Sequence, residues 1–553
     1  MLGIPLALAL ASRSLMTKLR SQSNRAPRSS HRGRTIFLLL VLGLLTALVT
    51  EHWRGQFALA RWKRELTAKG EILEARQLWP RASEANAEFS NRLTQVTANL
   101  RGSLSDYAGQ ISGIVMETTG QYRRGSQEPR PSRLLHGEDS TNTWQNLNDL
   151  LVQNERSLRS LRELMKQPSP SMGGNIAKAM EEPWIPNLVG IRLGAQIQHA
   201  AALNDLHRDD YEKAVQDLAT LMAFTRVYEQ DPSLVNFMIR MAIVGLSVDV
   251  CWDALQADGW TEPQLAALQA ACLQLDQILP QMPRTMESER LYRVFNYQWL
   301  RSHSYQAWVD RYRELCQGFG VEQLCPATAS PLRQWVSHPI WSFAWADQEE
   351  LAYLVQAQRE IAVLREAGER RSWLWLQAQI AIQRKEYHRP AAAWRFYGEL
   401  PVIDHISEVI GSPHPRELAY PFPDFTRAWC ITLGNLTRQE LVMTAIALKR
   451  YALRHGQSPD RLADLVPGFL STEPTDLMDG KPLRYRLNAD GSFLLYSVGA
   501  NLRDDGGDFA PEPTEDQRRS LSAWTGRDWV WLSGEPGVGD LRIPSGVLRS
   551  ASK

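Results

Sequence analysis

A glycine-rich loop near the C-terminus carries the densest set of residues able to do chemistry. Gly499-Ala500-Asn501-Leu502-Arg503-Asp504-Asp505-Gly506-Gly507-Asp508 brings the oxygen donors of Asn501, Asp504, Asp505 and Asp508 into one short stretch, and Asp528 follows downstream. Calcium takes about six to eight oxygens in a flexible geometry, and such loops supply carboxylate and backbone carbonyl oxygens together. These residues are the candidate metal ligands, with calcium as the candidate cofactor. A solvated turn asks for the same composition, because Asp and Gly both suit turn conformations. The spacing and closing Glu of an EF-hand are absent.

Elsewhere the chain offers no recognised catalytic pattern. H-E-x-x-H, the G-x-S-x-G elbow, G-x-x-x-x-G-K and a Rossmann glycine pattern after a strand are all missing. The 11 histidines are scattered, and no two share an i, i+4 face. His405 follows Asp404, but neighbours in sequence point to different faces of a helix or strand. Cys430 with His455 downstream is a drawable nucleophile–base pair without a familiar context. The cysteines (Cys251, Cys272, Cys316, Cys325, Cys430) form no C-x-x-C pair. Cys316 and Cys325 either close a small loop in an oxidising compartment or remain thiols. Tryptophans concentrate between 299 and 394: Trp299, Trp308, Trp335, Trp341, Trp345, Trp373, Trp375 and Trp394. An aromatic cleft of an envelope hydrolase is one reading of them; large core fillers is the other.

The acidic loop follows a compact α+β pattern. Thr437-Arg438-Gln439-Glu440 reads as a capping box opening a helix that extends through Tyr451 and stops at Gly456. Ser458-Pro459 opens a short helix with Leu462, Leu465 and Val466. Leu483–Leu487 and Phe493–Val498 read as strands around an Asn488-Ala489-Asp490-Gly491 turn.

That order resembles the globular part of the type II secretion major pseudopilin. The matching residues are Tyr451, Gly456 and Pro459 at the helix end, then Leu465-Val466 and Pro474. Gly480, Pro482 and Tyr485 follow in a Gly-x-Pro-x-x-Tyr strand, and Tyr496, Ser497 and Gly499 lead into the loop. The resemblance implies a calcium-binding loop and makes Asp528-Trp529-Val530-Trp531 the segment that closes the module. Asn501-Leu502 stands where that family has Asp-Gly. The prepilin cleavage signature is missing at Gly33-Arg34-Thr35-Ile36-Phe37, so assembly into a pseudopilus is not implied. The whole layout also resembles large membrane-anchored envelope proteins of Planctomycetes and Verrucomicrobia.

At the other end, Thr35 to Thr50 (TIFLLLVLGLLTALVT) contains no charge. As a helix it spans about 24 Å, and the flanking Arg34 and Trp53 extend it towards the roughly 30 Å of a bilayer core. A transmembrane anchor, a cleaved signal peptide and a buried core helix compete here. The lack of polar positions at a 3.6 period, and the weak Ala47/Val49 cleavage context, favour the anchor. Residues 1–34 carry Arg13, Lys18, Arg20, Arg25, Arg28, Arg32 and Arg34 and no acid, which predicts a cytoplasmic N-terminus. This arm is short and lacks interleaved aromatics, so nucleic acid is not an expected partner.

Between anchor and module the chain reads as helices. Phe57–Trp79 is amphipathic, with Gly70 as a weak point and Pro80 as its end. Ala82–Ile114 and Thr143–Met165 follow, with a loop at 120–142 between them and a break at 167–175. Ile191–Leu279 carries hairpin-like helices. Asp209-Asp210 precede an apolar face of Ala214, Leu218 and Leu221, Asp231-Pro232 caps the next helix, and Thr261-Glu262-Pro263 starts a third. Asp210-Tyr211-x-x-Ala214 hints at a tetratricopeptide-type hairpin, yet no second copy recurs at a fixed period. Gln348–Glu386 reads as one long helix.

A chain of 553 residues is expected to hold two or three folded units, and a net charge of +1 gives no overall pull towards polyanions. The expected fold is mainly α, with an N-terminal transmembrane helix, a helical-hairpin body and a small C-terminal α+β module. It divides into a basic cytoplasmic tail (1–34), anchor (35–53), membrane-proximal helices (54–180), body (181–411), Pro-rich linker (412–436), module (437–535) and tail (536–553). The expected protein is a non-enzymatic scaffold or interaction protein of the bacterial inner membrane with its large domain in the periplasm. Its partners are the lipid bilayer through 35–53 and other envelope proteins. A hydrolase in the Trp-rich segment and a calcium-stabilised, secretion-related binding module are the alternatives.

Overall fold

The computed structural model describes residues 30–78, 84–100, 144–167, 188–318 apart from 256 and 258, 335–387 apart from 337, 426–508 and 527–531. The basic tail before residue 30, the 120–142 loop, the 168–175 part of the break, Cys325, Asp404-His405, the Pro-rich stretch before Thr426 and the 536–553 tail lie outside these residues.

The described chain is mainly helical. It opens with α1 (Ser30–Ala68), α2 (Ala75–Leu78), α3 (Glu84–Asn99), α4 (Trp144–Gln153) and α5 (Glu155–Met165). Next come α6 (Leu188–His207), α7 (Tyr211–Ala223), α8 (Leu234–Ala254), α9 (Glu262–Cys272) and α10 (Gln281–Ser302). Then follow α11 (Tyr305–Gly318), α12 (His338–Ala344), α13 (Ala346–Arg370), α14 (Trp373–Tyr387) and α15 (Thr426–His455). Short strands complete it: β1 (Thr475–Asp476), β2 (Lys481–Pro482), β3 (Arg484–Leu487), β4 (Phe493–Ser497) and β5 (Trp529–Trp531).

Two compact units result. Unit 1 comprises Met1–Leu73, Arg290–Arg359 and Ile382–Pro423; unit 2 comprises Glu74–Glu289, Glu360–Ala381 and Asp424–Lys553. The sequence suggested consecutive pieces, whereas both units are assembled from segments distant in the chain, and the 437–535 module shares a unit with residues 74–289.

In unit 1 the apolar stretch and the next amphipathic segment are one helix. Neither a proline nor a glycine cap separates Thr50 from Phe57, so α1 runs unbroken to Ala68. It stops where Gly70 adopts a positive φ of 79°, short of the expected end at Trp79. Gly55 marks a close approach, since a Cβ there would lie 3.1 Å from side-chain carbons of Asp347 and Gln348. Leu59 packs with Val294 and Leu354, flanked by Trp62 and Leu351. Charged groups are buried beside this core. Lys63 and Arg301 both bind the fully buried Glu350 carboxylate, and Arg301 also reaches Asp347 at 2.8 Å.

Unit 2 is built on hairpins. α6 packs on α7 and α8, and α7 on α9. Asp210 caps α7 by accepting from the Lys213 amide at 3.1 Å, and Thr261 with Gln264 forms a capping box on α9. The α8 cap is Ser233, which accepts from the Asn236 amide, not Asp231; Pro232 carries the chain past Asp231 first. α8 is long and apolar enough to cross a membrane, with mean hydropathy 1.8, yet 56% of that window is buried. It packs against α6, α7 and α15 as a core helix.

α15 corrects two expectations, because it begins at Thr426 and not at Thr437. Residues 426–436 are helix, not linker. The Thr437 hydroxyl donates to the Leu433 carbonyl within the helix, so it caps nothing. Asn435 and Gln439 are buried here with partners on neighbouring segments. Asn435 donates to the Met241 carbonyl at 2.9 Å and Gln439 to that of Cys272 at 3.3 Å. The helix does stop at Gly456, with φ of 77°.

A further correction concerns the single helix expected over 348–386. It breaks at Arg371, with φ of 49°, and Ser372 caps α14 by accepting from the Trp375 amide. The break is satisfied by long-range bonds: the Trp373 and Leu374 amides donate to the carbonyls of Leu477 and Met478 at 2.7 and 2.8 Å. Where a capped helix was expected after Ser458-Pro459, a short 3-10 turn at Leu462–Leu465 follows Arg461 instead. The hairpin is as expected: β3 and β4 pair antiparallel from Arg484–Tyr496 to Leu487–Phe493, and the Asn488 amide closes the turn on Ser492. β5 adds to β4 with Ser497 opposite Trp529, so Asp528 is carried to the acidic loop.

Candidate functional site

The strand pair β4–β5 brings Asn501, Asp504, Asp505, Asp508 and Asp528 to one end of the small sheet. Gly499 makes this possible: its φ is 62°, and a Cβ there would meet the Arg527 carbonyl at 2.6 Å. Asp528 is buried and accepts from the amides of Gly507 at 2.7 Å and Asp505 at 3.4 Å. Asp504 accepts from the Tyr496 hydroxyl at 2.9 Å and the Gly506 amide at 3.1 Å. Asp505 accepts from the Asn501 side chain at 2.8 Å, and Asp508 from Arg527 at 3.0 Å. All five residues are assembled, but each carboxylate is engaged by a donor of the chain itself. Among the described residues no three His, Cys, Asp or Glu side chains form a group able to hold a metal ion.

A guanidinium organises this end of the sheet. Arg484 binds Asp479 at 2.5 Å, Asp476 at 3.1 Å and Asp504 at 3.4 Å. Burial works against its charge, but the three carboxylates overcome this and hold it above its ordinary pKa. Asp476 is fully buried and also accepts from Ser497, Val498 and Met478. Neither Asp476 nor Arg484 was singled out from the sequence. The signal available was Arg484 opening a strand close behind Asp476 and Asp479.

The other sequence candidates are dispersed. Cys430 and His455 stand near opposite ends of α15, about 37 Å apart at 1.5 Å per residue, which rules out a catalytic pair. Burial raises the Cys430 pKa, the reverse of an activated thiol. Cys251 and Cys272 are buried free thiols. Four tryptophans of the 299–394 stretch have separate surroundings. Trp299 stacks on His303 with Arg311 over its ring, Trp341 and Trp373 are buried, and Trp375 lies under Arg370.

Unit 2 holds a second constellation that the sequence reading missed. Arg162 on α5 grips Asp217 on α7 with two hydrogen bonds, 2.5 and 3.1 Å, and Asp217 is fully buried. Asp205 on α6 lies beside them, 3.4 Å from Lys213. They line a pocket of about 170 Å³ with Asn148, Asn204 and Glu155. Asp205 Oδ2 and Asn204 Oδ1 find no donor among the described residues. Burial, and next the charge of Asp217, push the Asp205 carboxyl up to about 7. Burial also raises Asp217, while Arg162 pulls it back towards ionisation. The pair can therefore hold a proton near neutrality, on the Asp205 side. Among the described residues, no Ser, Thr, Cys or His lines this pocket. Its sequence signal was two opposite charges on apolar stripes: Arg162 one turn after Leu158, and Asp217 between Ala214 and Leu221.

No family model matches this chain, and no curated protein or solved structure shows significant similarity to it.

Proposed function

We propose that this protein is a single-pass, membrane-anchored scaffold of the cell envelope. Its N-terminus lies in the bacterial cytoplasm, and both units lie beyond the inner membrane in the periplasm. The observation that carries this reading is α1. Its apolar window has mean hydropathy 2.0 and is 0% buried, while Leu59 and Leu66 of the same helix are built into unit 1. Water is a poor surrounding for an apolar surface of that extent, and a bilayer is a good one. Continuity to Ala68 also favours an uncleaved anchor, since α1 has no break between the apolar stretch and the body. The basic residues ahead of it favour an N-terminus inside. The scaffold role draws support from unit 2, where burial and paired polar groups hold distant segments together.

Fractionation tests this. The chain is expected to stay with membranes through alkaline carbonate, and a protease added outside spheroplasts should digest both units. Arg at both Leu40 and Leu44 costs about 2.5–3.5 kcal/mol each at a span centre, so the double variant should move into the soluble fraction. Protection from external protease, with digestion from the cytoplasmic side, would sink the assigned topology.

Calcium is part of this proposal as a stabiliser of the C-terminal loop, where it would compete with Arg484 and Arg527 for the carboxylates. Adding calcium to chelator-treated protein should then raise the melting temperature. Superimposable melting curves would remove the ion from the reading.

A further inference from the structure

Resting on the anchor reading, we propose that unit 1 also lies on the bilayer surface through the outward face of α12. Trp335 and Val336 precede this face, and Trp53 of α1 continues it. Its occupant is the interfacial layer of the same membrane that α1 crosses.

The stretch from Trp335 to Ala346 (WVSHPIWSFAWA) contains no Asp, Glu, Lys or Arg. In α12 the inner positions Trp341 and Ala344 are buried, as expected of a packed helix. Its outward positions are apolar as well: Ile340 is 37% and Phe343 44% exposed, with Val336 at 43% and Trp335 at 77%. A helix facing water carries polar residues on that side. Within α12, Ile340 and Phe343 follow the +3 spacing that puts residues on one helical face.

What covers this face follows from where it is held. The Phe343 ring stacks on His52 of α1 at 4.5 Å, and His52 Nδ1–H donates to the Phe343 carbonyl at 2.7 Å. From His52 the aromatic surface continues along α1, to Trp53 at 5.6 Å and from Trp53 to Phe57 at 5.7 Å. Trp53 is 51% and Phe57 68% exposed. At 1.5 Å per residue, His52 and Trp53 lie about 3 to 5 Å beyond Thr50, the end of the apolar stretch. The headgroup layer extends about 5–8 Å beyond each side of the hydrocarbon core. Phe343 is thus fixed at headgroup depth, the level that Trp and other amphipathic rings favour. The carboxylate at this level is already matched: Glu51 accepts from Arg54 at 2.6 Å and from Gln348 at 2.7 Å. A pinned unit 1 would leave the anchor little freedom to swivel.

The test is photolabelling of the full-length chain in phosphatidylcholine–phosphatidylglycerol vesicles containing a phospholipid with a diazirine near its headgroup, with adducts mapped by mass spectrometry. Adducts are expected in 35–50 and, in addition, in 335–343 and at Trp53. The double variant Val336→Asp, Ile340→Asp, checked for an unchanged circular-dichroism melt, should lower adducts in 335–343 several-fold and leave those in 35–50 unchanged. Adducts in 35–50 alone would overturn the surface docking and leave the anchor standing, with the face free for a protein partner. Adducts in neither segment would overturn the anchor and the docking together. A 335–343 yield unaffected by the two aspartates would also refute the proposal.

Discussion

Replacing Arg290 with Ala should destabilise unit 1 by about 3–5 kcal/mol, the usual cost of removing one partner from a buried ion pair. The Arg290 side chain is completely buried and that of Glu71 is 6% exposed. Its guanidinium binds Glu71 at 3.5 Å, the Ile72 carbonyl at 2.7 Å and the Gln358 side chain. Gln358 in turn donates to Glu71 at 2.7 Å. Without Arg290 the buried carboxylate loses its guanidinium partner. Lysine should not restore stability, because a single ammonium cannot serve three acceptors spread around a planar fork. A paired Arg290→Met, Glu71→Leu change should recover most of the loss, since an apolar pair leaves no charge stranded. Thermal melts followed by circular dichroism, with hydrogen exchange of the 59–72 amides, measure this. An Arg290→Ala protein that melts and exchanges like the parent would show that the network contributes nothing.

The second large effect is expected in unit 2. Arg162→Met should also cost about 3–5 kcal/mol, because it strands the fully buried Asp217. The neighbouring Asp205 adds a pH dependence whose sign follows from linkage. Its folded pKa, about 7, lies above the ordinary 3.8, so between these values the folded chain keeps a proton that the unfolded chain has released. This stabilisation is complete below about pH 4, declines as the pH rises through 7, and is then flat. Asp205→Asn imitates the protonated form. The melting temperature of the parent relative to this variant should therefore fall from pH 5 to pH 8. A parent that gains stability over that range relative to Asp205→Asn would contradict the assignment.

These two constellations show where sequence reading stops. Arg162 and Asp217 each interrupt an apolar stripe, which is visible in the sequence; that they meet each other is not. Likewise Thr437-Arg438-Gln439-Glu440 fits a capping box, and only Asn435 and Gln439 bonding to α8 and the end of α9 shows that the helix passes straight through. Arg371 resembles any helix-interior residue until the chain bends there and the next two amides find Leu477 and Met478.

The sequence alone determined what depends on neighbours within a turn or two. Its uncharged apolar run made a long exposed helix. Asp210 and Thr261 capped their helices, Gly456 stopped one, and Asn488 to Gly491 turned a hairpin. These outcomes follow from backbone sterics and local hydrogen bonds, which the adjacent residues specify. Tertiary structure decided the rest: the discontinuous units, the unbroken passage of α1 into unit 1, Arg484 among the loop carboxylates, and the apolar face of α12 held beside His52. Each of these joins residues far apart in the chain. Their desolvation and pairing energies exist only once those segments have met, so no local pattern encodes them.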